Sequence, residues 1–145
     1  MAKVIAYIND LFFQARIGET AKKVGVEFSA VTTLEALLAA AGDKISPPAL
    51  IIIDLNAGSA PSFGLAPAQN SAPPPRATGI DALEQLRAAG NQTPVVAFLS
   101  HVQTDLATRA RALSGANGQV MPRSQFTQDL AEILGRAKSA SAKAV

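Results

Sequence analysis

The chain has 145 residues, of which 48% are hydrophobic, and its formal net charge is +2. That length suits one compact domain, which can bury roughly 68–70% of the surface of its unfolded chain. The absence of cysteine excludes a disulfide framework and a thiolate metal site. No apolar run approaches the ~18 residues of a membrane span, and the N-terminus lacks the pattern of a signal peptide, so we expect a cytoplasmic protein. The basic residues are scattered, which argues against a nucleic-acid partner.

Short apolar, β-branched segments alternate along the chain with segments that have the apolar spacing of helices. The predicted strands are Val4–Ile8, Val26–Val31, Leu50–Ile53, Pro94–Leu99 and Gln119–Met121. The predicted helix stripes are Phe13/Ile17/Ala21/Val24, Leu34/Leu37/Leu38/Ala41/Ile45, Ile80/Leu83/Leu86, Leu106/Ala110/Leu113 and Phe126/Leu130/Ile133/Leu134/Ala137. Five such strand–helix units in strict alternation predict an α/β fold, a doubly wound parallel sheet with helices on both faces.

Local signals mark where several of these helices begin and end. Thr32 with Glu35 is a candidate capping box at the start of the second helix, and Thr78 with Asp81 resembles one before the third. Glycines stand where three helices should stop, at Gly42, Gly90 and Gly115. These signals agree with the alternation of strands and helices.

Two segments fall outside the alternating pattern. Residues 57–77 are rich in Ala, Pro, Ser and Gly, have no period, and lie directly after Asp54, which predicts a long loop or flexible insert. Residues 138–145 are expected to form a flexible tail. We therefore predict one domain over residues 1–137 that carries an insert at 57–77.

Polar residues follow most of the predicted strands at the point where each strand ends. In an open parallel sheet, ligands bind outside the carboxyl ends of the strands, so these side chains are expected to converge. Two carboxylates, a hydroxyl and a guanidinium suit a divalent cation and a phosphoryl group. The residues are Asp10, Asp54, Ser100 and Arg123.

Five short stretches, in order, resemble the response-regulator receiver domain of two-component signalling. They are YIND after the first strand, LIIIDLN at the third, TGIDALEQLR in the third helix, TPVVAFLS at the fourth strand and GANGQVMPR at the fifth. The resemblance covers nearly the whole chain except the insert and the tail. It implies a flavodoxin-like, five-stranded parallel sheet in the order 2-1-3-4-5.

The resemblance also implies a role for each candidate site residue. Asp54 would be the phosphoacceptor, and Asp10, Asp54 and the backbone carbonyl of Asn56 would hold Mg²⁺. Ser100 would bind a phosphoryl oxygen, and Arg123 stands in the place of the family's lysine. The implied partners are a sensor histidine kinase or phosphotransfer protein and a downstream protein. A homodimer through the fourth and fifth helices is a further family expectation.

Several positions depart from the family pattern. Asn9-Asp10 supplies one acid where the family usually has two, which should weaken metal binding, and arginine is not equivalent to lysine at a tight site. Val120 replaces the aromatic residue that the family commonly uses as a switch. His101, directly after Ser100, stands where the family usually has a small residue, and we interpret it as a loop residue without a chemical role.

These departures leave alternatives open for both the residues and the function. Asp10 could serve only as the N-cap of the first helix, and Arg123 could form a structural ion pair with Asp10 or Asp54. The chain would then be either a stand-alone phosphoacceptor receiver or a non-phosphorylated pseudo-receiver that binds other proteins, and in neither case an enzyme. A flavodoxin-like enzyme or nucleotide binder is disfavoured, because the sequence has neither a G-x-G-x-x-G motif after the first strand nor a P-loop.

Overall fold

The computed structural model describes residues 3–8, 10–43, 45, 48–55, 79–91, 93–99, 104–114 and 118–143. Within these ranges five strands alternate with five helices. In chain order they are β1 (Lys3–Tyr7), α1 (Leu11–Val24), β2 (Glu27–Val31), α2 (Leu34–Ala41), β3 (Leu50–Asp54), α3 (Gly79–Ala88), β4 (Val95–Leu99), α4 (Thr104–Ser114), β5 (Gly118–Pro122) and α5 (Arg123–Lys143). All strand pairs are parallel, and the sheet order is β2-β1-β3-β4-β5. The predicted doubly wound, flavodoxin-like fold is confirmed.

Helices cover both faces of the sheet, and each face has its own apolar core. Helices α1 and α5 pack together on one face, and α2, α3 and α4 follow one another across the other. Every residue of β3 and β4 is buried, because these two strands are central and covered on both sides. The edge strand β5 tolerates Pro122, since a proline there removes no hydrogen bond that a further strand would use.

Helix α1 is fixed at both ends by its own sequence. Asp10 has extended backbone angles, and its side chain accepts a hydrogen bond from the Phe13 backbone N–H, which satisfies one of the free donors of the first turn. Gly25 ends the helix with a φ of 90°, a left-handed conformation that glycine adopts without strain. Phe13, Ile17 and Ala21 are buried against the sheet.

The second helix differs from the sequence prediction in two ways. The N-cap is Thr33 and not Thr32, since the Thr33 hydroxyl accepts the hydrogen bond from the Ala36 backbone N–H at 3.1 Å. Ile45 is 97% exposed and does not belong to the predicted apolar stripe. The helix ends at Ala41, before Gly42, so Ile45 lies beyond the helix and away from its buried face.

Helix α5 continues past residue 137, to Lys143, whereas the sequence predicts a flexible tail over 138–145. The Lys138 ammonium donates a hydrogen bond to the Val24 carbonyl at the C-terminal end of α1, which ties this part of α5 to the domain. The insert at 57–77 lies outside the described residues. Across the described ranges, the helices are too short or too polar to cross a lipid bilayer.

Candidate functional site

Asp54 is the last residue of β3 and lies at the carboxyl edge of the sheet. Among the described residues it is the only buried one with a charged side chain, and 8% of its surface is exposed. Because side chains alternate along a strand, Asp54 points to the same face as Leu50 and Ile52, the face covered by α1 and α5. Its register partner on β4 is Phe98. The fold therefore places this carboxylate at the rim of the α1/α5 side.

Asp10 follows β1, the neighbour of β3, and both of its carboxylate oxygens are engaged. Oδ1 accepts a hydrogen bond from the Phe13 backbone N–H at 3.2 Å. Oδ2 accepts a hydrogen bond from Arg123 Nη2 at 2.8 Å, a charge-assisted contact. Asp10 therefore caps helix α1 and also pairs with Arg123, so it does not serve only as an N-cap.

Arg123 is the first residue of α5 and reaches across the sheet to Asp10. In the observed strand order β3 and β4 lie between β1 and β5, so this ion pair spans the ends of two strands. The guanidinium carbon also lies 4.4 Å from the centroid of the Phe13 ring, within cation–π distance. Both side chains of the pair are about one-third exposed, at 35% for Arg123 and 39% for Asp10.

Three aromatic rings pack together next to the Arg123–Asp10 pair, and one of them, Phe13, lies against the guanidinium. The Phe98 and Phe126 rings are stacked with centroids 4.6 Å apart, and the Phe13 ring lies 5.1 Å from Phe98 and 5.7 Å from Phe126. Phe98 belongs to β4, Phe126 to α5 and Phe13 to α1. The three rings therefore hold the two helices against the end of β4. The cluster positions Arg123 and Asp10 relative to each other.

The pairing alters the acidity of Asp10. The side-chain hydrogen bond from Arg123, followed by the hydrogen bond from the Phe13 backbone N–H, holds the pKa of Asp10 below its ordinary value of 3.8. Burial acts in the opposite direction but is outweighed. Asp10 is therefore a carboxylate at all but strongly acidic pH.

Replacing Arg123 with glutamine is expected to raise the pKa of Asp10 toward its ordinary value. A carboxyl group with a lowered folded-state pKa stabilises the fold above the unfolded-state pKa, and this contribution is lost as pH falls through the folded-state value. On acidification from about pH 5 to about pH 2, the free energy of unfolding should therefore fall further in wild type than in Arg123→Gln. The difference should be less than about 1 kcal/mol, because the ion pair is partly exposed. Carboxyl-carbon NMR of Asp10 measures the pKa directly. A wild-type Asp10 that titrates at its ordinary value would contradict the pairing.

A cleft of about 630 Å³ lies beside the Arg123–Asp10 pair, at the starts of α1 and α5. Its lining residues come from the ends of α1 and α5 and are Asp10, Phe12, Phe13, Arg16, Arg123, Ser124 and Thr127. Asp54 is not among them. The cleft therefore gives access to the ion pair and to the exposed ring of Phe12, and not to the Asp54 carboxylate.

The donor set in the described residues does not fit a Mg²⁺ ion well. Magnesium prefers near-octahedral oxygen ligands and usually binds through one or two carboxylates. Here one oxygen of Asp10 holds the helix cap and the other holds a permanently charged guanidinium. No group of three acidic, histidine or cysteine side chains comes together in the part of the chain that the structure describes.

The structure brings Asp10 and Arg123 into contact and places Asp54 on the same face at the same rim. The other residues singled out from the sequence for this site lie outside the described residues; they are Ser100, Asn56, Asn9 and His101.

Two contacts near the site are not among those expected from the sequence. Phe13 was assigned to the core only, and its contact with the guanidinium was missed. Gln14 was also missed, although its side-chain amide donates a 2.7 Å hydrogen bond to the Ile8 carbonyl at the end of β1. A polar residue beside the buried face of a helix is the signal that points to Gln14.

Comparison with known proteins finds relatives of this chain by structure and none by sequence. No protein-family model and no curated protein sequence matches this chain. Solved structures do match, and those described below are all response regulators or their receiver domains.

A response-regulator receiver domain protein from Clostridium thermocellum has a TM-score of 0.71 and 14% identity, with 100% of both chains covered. The chemotaxis protein CheY4 from Vibrio cholerae has a TM-score of 0.66 and 20% identity, over 94% of this chain and 98% of CheY4.

NtrX from Brucella abortus has a TM-score of 0.67 and 17% identity, over 99% of this chain but only 29% of NtrX. The chain thus spans less than a third of the length of that relative. At these identities the likeness establishes architecture, and it agrees with the observed sheet order and helix placement. This chain therefore has the fold of a response-regulator receiver domain.

Proposed function

We propose that the chain is a receiver-type signalling module that acts by binding another protein, and that Arg123 neutralises Asp10 in place of an exchangeable cation. The observation that carries this proposal is the 2.8 Å contact between Arg123 Nη2 and Asp10 Oδ2. A guanidinium that is always protonated supplies a fixed positive charge at the strand ends. The module then needs neither metal nor phosphoryl group to hold its conformation.

The electrostatics of the rim support this proposal. Asp10 and Asp54 stand at the ends of adjacent strands, so two acidic side chains share one edge of the sheet and favour a nearby positive charge. The Arg123 guanidinium contacts the Asp10 carboxylate and the Phe13 ring, and the Arg123 backbone is fixed as the first residue of α5. A cation fixed in this way favours one conformation, which suits a constitutive binding module better than a switch.

A second candidate function is a stand-alone phosphoacceptor receiver, favoured by the position of Asp54 at the end of the buried strand β3. In that function the Asp54 carboxylate would attack the phosphorus of a phosphohistidine on a kinase or phosphotransfer protein, and the histidine nitrogen would leave as an acyl phosphate forms. Mg²⁺ held by Asp10, Asp54 and the Asn56 carbonyl would neutralise charge there, and Ser100 would bind a phosphoryl oxygen. Arg123 would first have to release Asp10.

Incubation with acetyl phosphate and Mg²⁺, followed by intact mass measurement, separates the two candidates. We expect wild type to gain no phosphoryl group under conditions in which a phosphorylatable receiver, included as a positive control, is modified. The matched variant is Asp54→Asn. A phosphoryl group that appears on wild type and is absent from Asp54→Asn would establish the second candidate and refute the first.

A further inference from the structure

A row of exposed residues runs along the outside of α1. Phe12, Arg16, Glu19 and Lys23 are spaced by four, three and four positions, which places them on one stripe of a helix. All four are exposed, and the Phe12 side chain is 91% exposed. This stripe, called the α1 stripe below, has the spacing of a coiled-coil seam. Leu11, 74% exposed, lies beside its first residue.

The charges of the α1 stripe have no partner in the described part of the chain. Arg16, Glu19 and Lys23 form no ion pair there, although neighbours three and four apart could pair on the helix. Two pairs of outward charges on other helices do meet within the described part of the chain. Arg109 on α4 pairs with Glu84 on α3, and Arg136 pairs with Glu132 on α5.

The geometry points to a second copy of this chain as the partner of the α1 stripe, with the two α1 helices antiparallel about a twofold axis. We propose that Arg16 pairs with Glu19 of the second copy, and that Lys23 lies over the Phe12 ring of the second copy. The two residues of each pair lie at equal distances along the helix from the point midway between residues 17 and 18. A twofold axis through that point therefore forms each pair twice, which gives four contacts. Antiparallel helices with this seam spacing bring these positions face to face.

Self-complementarity is the reason to choose a second copy over a different protein. A twofold interface requires that the contact from residue i to residue j recur from j to i, and the order aromatic, cation, anion, cation along the stripe meets that requirement. The pairing would also cover the exposed Phe12 ring, which is costly to leave in water. Pairing through α4 and α5, the family expectation, would have to involve helices on which Arg109 and Arg136 are already paired within the chain.

The interface is small, so the dimer should be weak. A helix of 14 residues is about 21 Å long, and one such helix pair buries less than the roughly 1,200–2,000 Å² of a stable interface. We therefore expect association over about 10 µM to about 1 mM. The inference does not rest on the proposed function: Phe12 and Arg16 line the cleft beside the Arg123–Asp10 pair, but none of the four stripe residues forms that pair.

Sedimentation velocity of the full chain over that concentration range tests the proposal. Wild type should shift from monomer to dimer, and Arg16→Glu or Glu19→Arg alone should weaken the dimer at least about 10-fold, because like charges then face each other. An equimolar mixture of the two variants should form dimers again, since one copy then presents two acids at these positions and the other presents two arginines. Arg136→Glu on α5 is the control and should leave the dimer unchanged.

Three results would overturn the proposal: a wild type that stays monomeric throughout, a dimer that Arg16→Glu leaves intact, or a mixture that fails to restore association. Far-UV circular dichroism checks that each variant is folded, and because both charged positions are on the surface we expect the same spectrum in all of them.

Discussion

Phe126→Ala is expected to lower the free energy of unfolding by about 3–5 kcal/mol, the usual cost of deleting a fully buried aromatic ring. Phe126 is 0% exposed and stacks on Phe98, and its ring also contacts Phe13. The loss is large compared with the roughly 5–15 kcal/mol that separates folded from unfolded states in natural domains. Urea titration followed by circular dichroism measures it.

This substitution should also disturb the Arg123–Asp10 ion pair, because the Phe126 ring packs on the Phe13 ring that lies against the guanidinium. Phe126 lies in the first turn of α5, so the cavity left by alanine loosens the start of the helix that carries Arg123. Phe126→Leu is the matched control, since it keeps most of the buried volume and should cost clearly less. A Phe126→Ala variant as stable as Phe126→Leu would show that the ring is not the anchor described above.

Gly79→Ala is expected to destabilise the protein by about 1–3 kcal/mol, although alanine is the better helix former. A Cβ atom at Gly79 would clash with the Asp54 carbonyl oxygen and would lie 2.6 Å from the Leu55 Cα. Both are backbone atoms and cannot rotate away. The start of α3 must therefore move away from the end of β3, and the backbone of Asp54 is displaced with it.

Gly135→Ala is the control for Gly79→Ala, because the same change is made in a helix with free space. Apart from the chain neighbours and the backbone of its own helix, no atom of the described residues lies within 4 Å of the Cβ that would be added at Gly135. This substitution should stabilise the protein by about 0.5–1 kcal/mol, the helix advantage of alanine over glycine. Urea titration of both variants should therefore show changes of opposite sign. A stabilised Gly79→Ala variant would mean that α3 does not press on the end of β3.

The order of strands and helices could be predicted from the sequence, because buried positions are apolar and their spacing differs between strands and helices. Strand β3 is covered on both faces and its first four residues, Leu50–Ile53, form a continuous apolar run, while the helices keep the spacing of one buried face. Ends of helices were harder to predict. Thr32 and Thr33 are adjacent and both able to cap, and only the backbone conformation decides between them. Ile45 fits the helical spacing, but the helix stops before reaching it.

The ends of the strands predicted that Asp10, Asp54 and Arg123 lie at one edge of the sheet, but not which of the two acids Arg123 contacts. Asp10, Asp54 and Arg123 each stand at the end of a strand, so the sheet brings them to one edge. Whether Arg123 contacts Asp10 or Asp54 depends on how far its side chain reaches past the ends of β4 and β3. It also depends on the Phe13 ring, which lies against the guanidinium. Neither is encoded in local spacing, since Asp10 and Arg123 are 113 positions apart in the sequence.

Calorimetric titration with Mg²⁺ tests the central claim most directly, which is that Arg123 occupies the charge-neutralising position beside Asp10. We expect no Mg²⁺ binding to wild type at millimolar concentration, and weak binding in Arg123→Gln, where the Oδ2 atom of Asp10 no longer faces a guanidinium. The control is Arg109→Gln, which breaks the exposed pair with Glu84 on the opposite face and should behave like wild type. Millimolar or tighter binding to wild type that is lost in Asp10→Asn would contradict the claim.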